Sequence, residues 1–157
     1  MIGYGISNIR QVKLFAQAVC EILGGGDNAV RLLCETAAAE TQCGTAVDRT
    51  PNGAGRGLFQ CDKSPFTDTV TRAKQSDIDA LKTAFGFDLR EIDWATLNYS
   101  PLIAAAVCRL HYKLRPGSIP LDLKGRAEYW KKQYNSVLGA GTVGHYLESV
   151  ARFEMYF

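Results

Sequence analysis

Apolar residues recur at helical spacing along most of the chain. Val12, Phe15, Val19, Ile22 and Leu23 fall on one stripe, which predicts a helix over 8–23 stopped by Gly24-Gly25-Gly26. A second helix follows to about Thr41, with Asp27 or Asn28 as its cap and Val30, Leu33, Cys34, Ala37 and Ala38 turned inward. From Gln42 to Asp62 the period breaks. Gly, Pro, Asn and Thr dominate there, as in a β-hairpin or a long loop. So long a stretch without helix is uncommon in a compact domain and often carries function.

The second half returns to helices. Ser76 and Asp79 resemble a capping box, with Asp in place of Glu, ahead of the stripe Ile78, Leu81 and Phe85. Ser100-Pro101 reads as a cap followed by proline at the first helical position. The helix after it, Leu102 to Leu114, opens apolar nearly all round, the mark of a central buried helix. Residues 122–136 align Leu123, Ala127, Trp130 and Tyr134, and a last helix, Thr142 to Phe153, aligns Val143, Leu147 and Val150. The expectation is a mostly α-helical fold with one small β-hairpin or long loop around residues 43–62. Pattern alone allows either an α+β architecture or a plain helical bundle.

The 157 residues fit one domain, 1–157, large enough to bury a core without disulfides or metals. Lys and Arg number 18 against 16 for Asp and Glu, and no dense basic run occurs, so nucleic acid is not an expected partner. The longest strongly apolar run, Leu102 to Cys108, is far short of the roughly 20 residues a membrane span needs. Met1-Ile2-Gly3-Tyr4-Gly5 shows no basic region leading into an apolar stretch, so no secretory signal is expected. Cys20, Cys34, Cys43, Cys61 and Cys108 have neither disulfide-framework nor zinc spacing, and they read as small buried apolar groups. Cys43 and Cys61 flank the glycine-rich segment, where a hairpin would let them pair.

Glu40 and Glu35 are the candidate proton donors. Glu40 lies on the flank of the apolar stripe near Leu33 and Ala37, whereas Glu35 sits further round, nearer the solvent side. Apolar neighbours and the negative end of a helix dipole would both hold the Glu40 carboxyl protonated. On this helix alone an ordinary surface glutamate is the better fit. Asp48 and Asp62 are candidates for positioning a water, and each also suits a plain turn. Gly53, Gly55 and Gly57 allow tight turns or close approach to a ligand, without the full pattern of a nucleotide-binding loop. Gln60 offers an amide suited to sugar hydroxyls and acetamido groups. Tyr134 and Asn135 end a helix ahead of Gly139 and Gly141, and Tyr134 also suits packing with Trp130. His111 and His145 lack partners at metal-ligand spacing and read as structural or exposed, so neither a metal nor another cofactor is expected.

Glu40-Thr41 and, twenty positions after the glutamate, the Gln60 that closes Gly57-Leu58-Phe59-Gln60 resemble the goose-type lysozyme and lytic transglycosylase families. A catalytic Glu followed by Ser or Thr stands in the same relation to such a signature there. Asp48-Arg49, Asp62 and Tyr134-Asn135 look like further family positions. The resemblance implies a lysozyme-like α+β fold and cleavage of the peptidoglycan glycan strand between N-acetylmuramic acid and N-acetylglucosamine. Glu40 would be the acid, Asp48 or Asp62 would hold water, and Gln60, Tyr134 and Asn135 would meet substrate. It leaves open a lytic transglycosylase that forms anhydro ends, a non-catalytic phage tail or wall-binding module, and a chitinase-like enzyme. A protein of this type, made without a signal in a host cytoplasm, would act in the periplasm or cell wall, at lysis or within a virion beside other phage proteins.

Overall fold

In the computed structural model, residues 2–48, 53–135 and 139–157 are described. Arg49, the expected companion of Asp48, lies outside them. The order is α1 (Gln11–Leu23), α2 (Gly26–Thr41), β1 (Gly55–Arg56), β2 (Cys61–Asp62), α3 (Lys63–Arg72) and α4 (Gln75–Phe85). Short 3-10 turns at Leu89–Glu91 and Trp94–Asn98 lead to α5 (Pro101–Lys113) and α6 (Leu123–Trp130). A π-helical turn (Lys131–Asn135), α7 (Val143–Phe153) and a final 3-10 turn (Glu154–Tyr156) complete the fold. The architecture is therefore mostly helical with one two-stranded antiparallel sheet, in which Gly55 faces Asp62 and Arg56 faces Cys61. Among the described residues no helix is long and apolar enough to cross a membrane.

The central helix is α5, buried without a break from Ile103 to Tyr112. Ser100 accepts from the Ile103 N–H and Pro101 occupies the first turn, as its sequence requires. Asp122 and Thr142 cap α6 and α7 in the same way. Helices α1, α2 and α5 pack into the main core, with Leu32, Leu33, Val12 and Leu110 almost wholly enclosed. A second, smaller cluster of Ala39, Ala127, Trp130, Tyr146 and Val150 joins the end of α2 to α6 and α7.

Several local expectations change. Helix α1 begins at Gln11, because the Gln11 side chain folds back to accept from the N–H groups of Ser7 and Asn8. Neither Asp27 nor Asn28 caps α2; Gly25 does so from the left-handed region, and Asn28 instead donates to the Ile119 carbonyl oxygen. Ser76 is not a cap, since α4 already starts at Gln75, whose amide donates to Asp79. Helix α3 has no strong signal in the sequence. Thr67, Thr69, Val70 and Thr71 are β-branched, and only Phe66 and Thr69 are buried. The expected helix over 122–136 changes to a π turn after Trp130.

Candidate active site

Helix α2 ends on Thr41 because Gln42 and Cys43 both turn into the left-handed region (φ 50° and 53°), with Gly44 behind them. The Thr41 hydroxyl bonds the Leu58 carbonyl oxygen at 2.8 Å and accepts from the Gly44 N–H at 3.1 Å. It thereby ties the hairpin to the helix end that carries Glu40. Gly57, at φ +75°, sits so close to the 3-10 turn that a Cβ would fall 2.4 Å from the Leu97 carbonyl oxygen. Its N–H donates to Asn98. The Trp94 indole donates to the Cys61 carbonyl oxygen, and the Arg56 guanidinium lies 4.4 Å over the Trp94 ring. The hairpin is thus fixed from both sides.

Beside it opens a cleft of about 330 Å³ whose walls include Glu40, Gln60, Asp62, His111, Tyr134 and Asn135. Burial pushes the Glu40 carboxyl up to about 7. The Trp130 indole N–H, donating to Glu40 Oε1 at 2.9 Å, works against this, and the Asp62 charge adds to it. A carboxyl in that range holds its proton near neutrality and can also release it.

Gln60 adopts φ 46°, an uncommon conformation for a residue with a Cβ. Its amide nitrogen donates to the Tyr4 hydroxyl (3.1 Å) and to the Gly57 carbonyl oxygen (3.0 Å). Both of its donors are used within the protein, and among the described residues its Oε1 acceptor has no hydrogen bond to compete with a ligand. Tyr134 donates its hydroxyl proton to the Phe59 carbonyl oxygen at 2.7 Å. Its ring meets His111 edge-on at 5.0 Å and stacks on Tyr112 at 5.3 Å. It therefore packs and lines the cleft together. Asn135 Oδ1 accepts from Lys131, which also donates to the Gly139 carbonyl oxygen.

The structure brings Glu40, Gln60, Asp62, Tyr134 and Asn135 to one cleft. Asp62 is exposed at the start of α3. Asp48 is exposed too and is not part of the cleft wall; its backbone N–H donates to the Tyr4 hydroxyl, beside the Gln60 amide. Glu35 corrects the sequence reading. Far from the solvent side, it is 3 % exposed and bonds Arg126 through both carboxylate oxygens at 2.8 Å, with the Tyr146 hydroxyl donating as well. His111 is buried rather than exposed. Its Nε2 faces the Gln133 carbonyl oxygen at 2.8 Å, and burial holds its pKa down to about 4. His145 Nε2 faces the Ala39 carbonyl oxygen at 2.7 Å. All five cysteines are free and buried, Cys43 and Cys61 included, and burial raises both of those thiols to about 12.

Sequence reasoning missed three residues. Trp130 was legible as an inward side chain, but not as the donor to Glu40. Tyr4, whose hydroxyl accepts from both Asp48 and Gln60, carried no signal. Arg126 lay on a stretch read only for its apolar stripe. Among the described residues no group of three or more His, Cys, Asp or Glu is placed to hold a metal ion. Comparison with protein-family models, curated proteins and solved structures finds no significant match.

Proposed function

We propose that the chain cleaves the glycan strand of peptidoglycan between N-acetylmuramic acid and N-acetylglucosamine, with Glu40 as general acid. The observation that carries this reading is a desolvated carboxyl, raised to about 7, in a cleft that Gln60 also lines. Glu40 gives its proton to the glycosidic oxygen as the bond breaks, and the anomeric carbon takes on positive charge. The Gln60 Oε1 accepts from a sugar hydroxyl or an acetamido N–H. Asp62, on the cleft wall, orients the water that attacks the anomeric carbon. The resemblance around Glu40-Thr41 and Gly57-Leu58-Phe59-Gln60 supplies the substrate class.

One observation favours a second version. Asp62 is the only carboxylate besides Glu40 among the described cleft residues, and it is exposed. Its side chain makes no cap bond to α3 that would fix it toward the cleft. In the transglycosylase version the muramyl 6-hydroxyl attacks instead, Glu40 acts as acid and then as base, and Asp62 is dispensable.

Digestion of purified peptidoglycan, read by product masses, tests both versions. Glu40→Gln is expected to lower release of soluble fragments by about 10²–10⁴-fold with an unchanged circular dichroism spectrum. Near-normal release refutes the role of Glu40. Asp62→Asn is expected to lose at least about tenfold in the hydrolytic version and little in the other. Anhydro ends in the wild-type products settle for transglycosylation. Binding to insoluble wall with no soluble product from the wild type would leave a wall-binding module.

A further inference from the structure

On another flank of α5 from His111, Arg109 stands out. It is 7 % exposed, and among the described residues only its Nε finds a hydrogen-bond partner, the Gly24 carbonyl oxygen at 2.9 Å. That bond satisfies a carbonyl left over at the end of α1. The terminal nitrogens meet no carboxylate among the described residues and keep access to solvent, so they are open to a ligand. A Cβ built on Gly25 would lie 2.6 Å from Arg109 Nη2. The guanidinium therefore sits over the first turn of α2, where no side chain caps the helix. Helix N–H groups and this guanidinium present positive charge to the same space.

That space is a groove of about 420 Å³ whose walls include Gly25, Arg109, Lys113, Arg115, Ser118 and Tyr129. Tyr129, half-buried, lines this groove together with both guanidiniums. Compensating acid is scarce. Lys113 is matched by Asp77, at 2.8 and 2.9 Å. Arg115 reaches Asp68 only at 3.5 Å, and Asp68 is already held by Arg72 at 3.0 Å. Asp27, in the first turn of α2, lines a different pocket with Lys13 and Arg31.

We propose that this groove binds a phosphate-class oxyanion. Arg109 and Arg115 engage its oxygens, and the Tyr129 hydroxyl and the leading amides of α2 complete the shell. The groove is wider than a bare ion and leaves room for a phosphate carried as an ester on a larger molecule. The site lies apart from Glu40 and does not depend on the proposed cleavage.

The test is titration of the ¹⁵N-labelled protein with glycerol 3-phosphate, inorganic phosphate and acetate. Saturable shifts are expected at the amides of residues 25–28 and near Tyr129, with the ester tightest and acetate weakest. Arg115→Gln should weaken ester binding at least about tenfold, and Tyr129→Phe a few-fold, with spectra still dispersed. Glu40→Gln should bind as the wild type does. Non-saturating shifts spread over surface lysines, or equal binding by wild type and Arg115→Gln, overturn the site. Acetate binding as tightly as phosphate overturns the phosphate assignment.

Discussion

Glu35 and Glu40 stand five positions apart on α2, about 140° round the helix, and both are reached from α6. Arg126 meets Glu35, and one turn later Trp130 meets Glu40. The first partner is a full cation with two parallel bonds, and Tyr146 adds a third. The second is a neutral N–H. A carboxylate taken out of water needs a charged partner, and Glu35 has one. Among the described residues Glu40 is met only by the indole, so its proton stays on to about 7. The same helix thus supplies a structural anion and a candidate acid, and the difference lies in what α6 offers each.

The widest gap between the two should appear on removing the charge. Glu35→Leu leaves the Arg126 guanidinium and the Tyr146 hydroxyl without their main acceptor in the smaller core. A loss of about 3–5 kcal/mol in urea unfolding is expected. A loss under about 1 kcal/mol would mean the pair is effectively solvated.

Glu40→Gln should do the reverse, in a manner that depends on pH. The folded value of about 7 lies above the ordinary carboxylate range, so the neutral form is the one the fold favours. That advantage is complete below the unfolded value and is lost as pH rises through about 7. The variant should therefore match the wild type near pH 4 and gain on it up to about pH 7. Above that the gain should stay at about 1–3 kcal/mol. Stability curves that run parallel across this range would show that Glu40 is not desolvated. This measurement needs no substrate.

Much of this pair was hidden in the sequence for a physical reason. The stripe on α2 placed Leu33 and Ala37 correctly, and the flank position of Glu40 followed from it. Glu35 was misplaced because a wheel assumes one solvent-facing side. Residues 32–39 are all buried, with Ala37, Ala38 and Ala39 small enough for other elements to close in all round. A β-hairpin or a long loop was expected from the run of Gly, Pro, Asn and Thr, and the start of α5 at Ser100-Pro101 from capping chemistry. The inward face of 122–136 was legible, but not that a π turn would follow Trp130 and set Tyr134 beside His111. Long-range partners such as Tyr4 to Gln60 or Arg126 to Glu35 leave no trace in local periodicity.

The subtlest test of the contrast is to remove the donor that Glu40 has among the described residues. Trp130→Phe keeps a large ring in the smaller core and deletes the indole N–H. That N–H favours the charged carboxylate, so its loss should move the Glu40 titration up from about 7, by roughly one pH unit. ¹³C-carboxyl titration reads this directly. If Glu40 is the acid, activity falls as the carboxyl ionises, and the alkaline limb of the pH profile should move up by the same amount. A limb that moves without the carboxyl titration would assign the proton to another group. A titration that moves down, or not at all, would mean that burial alone sets Glu40, and that α6 distinguishes the two glutamates only through Arg126.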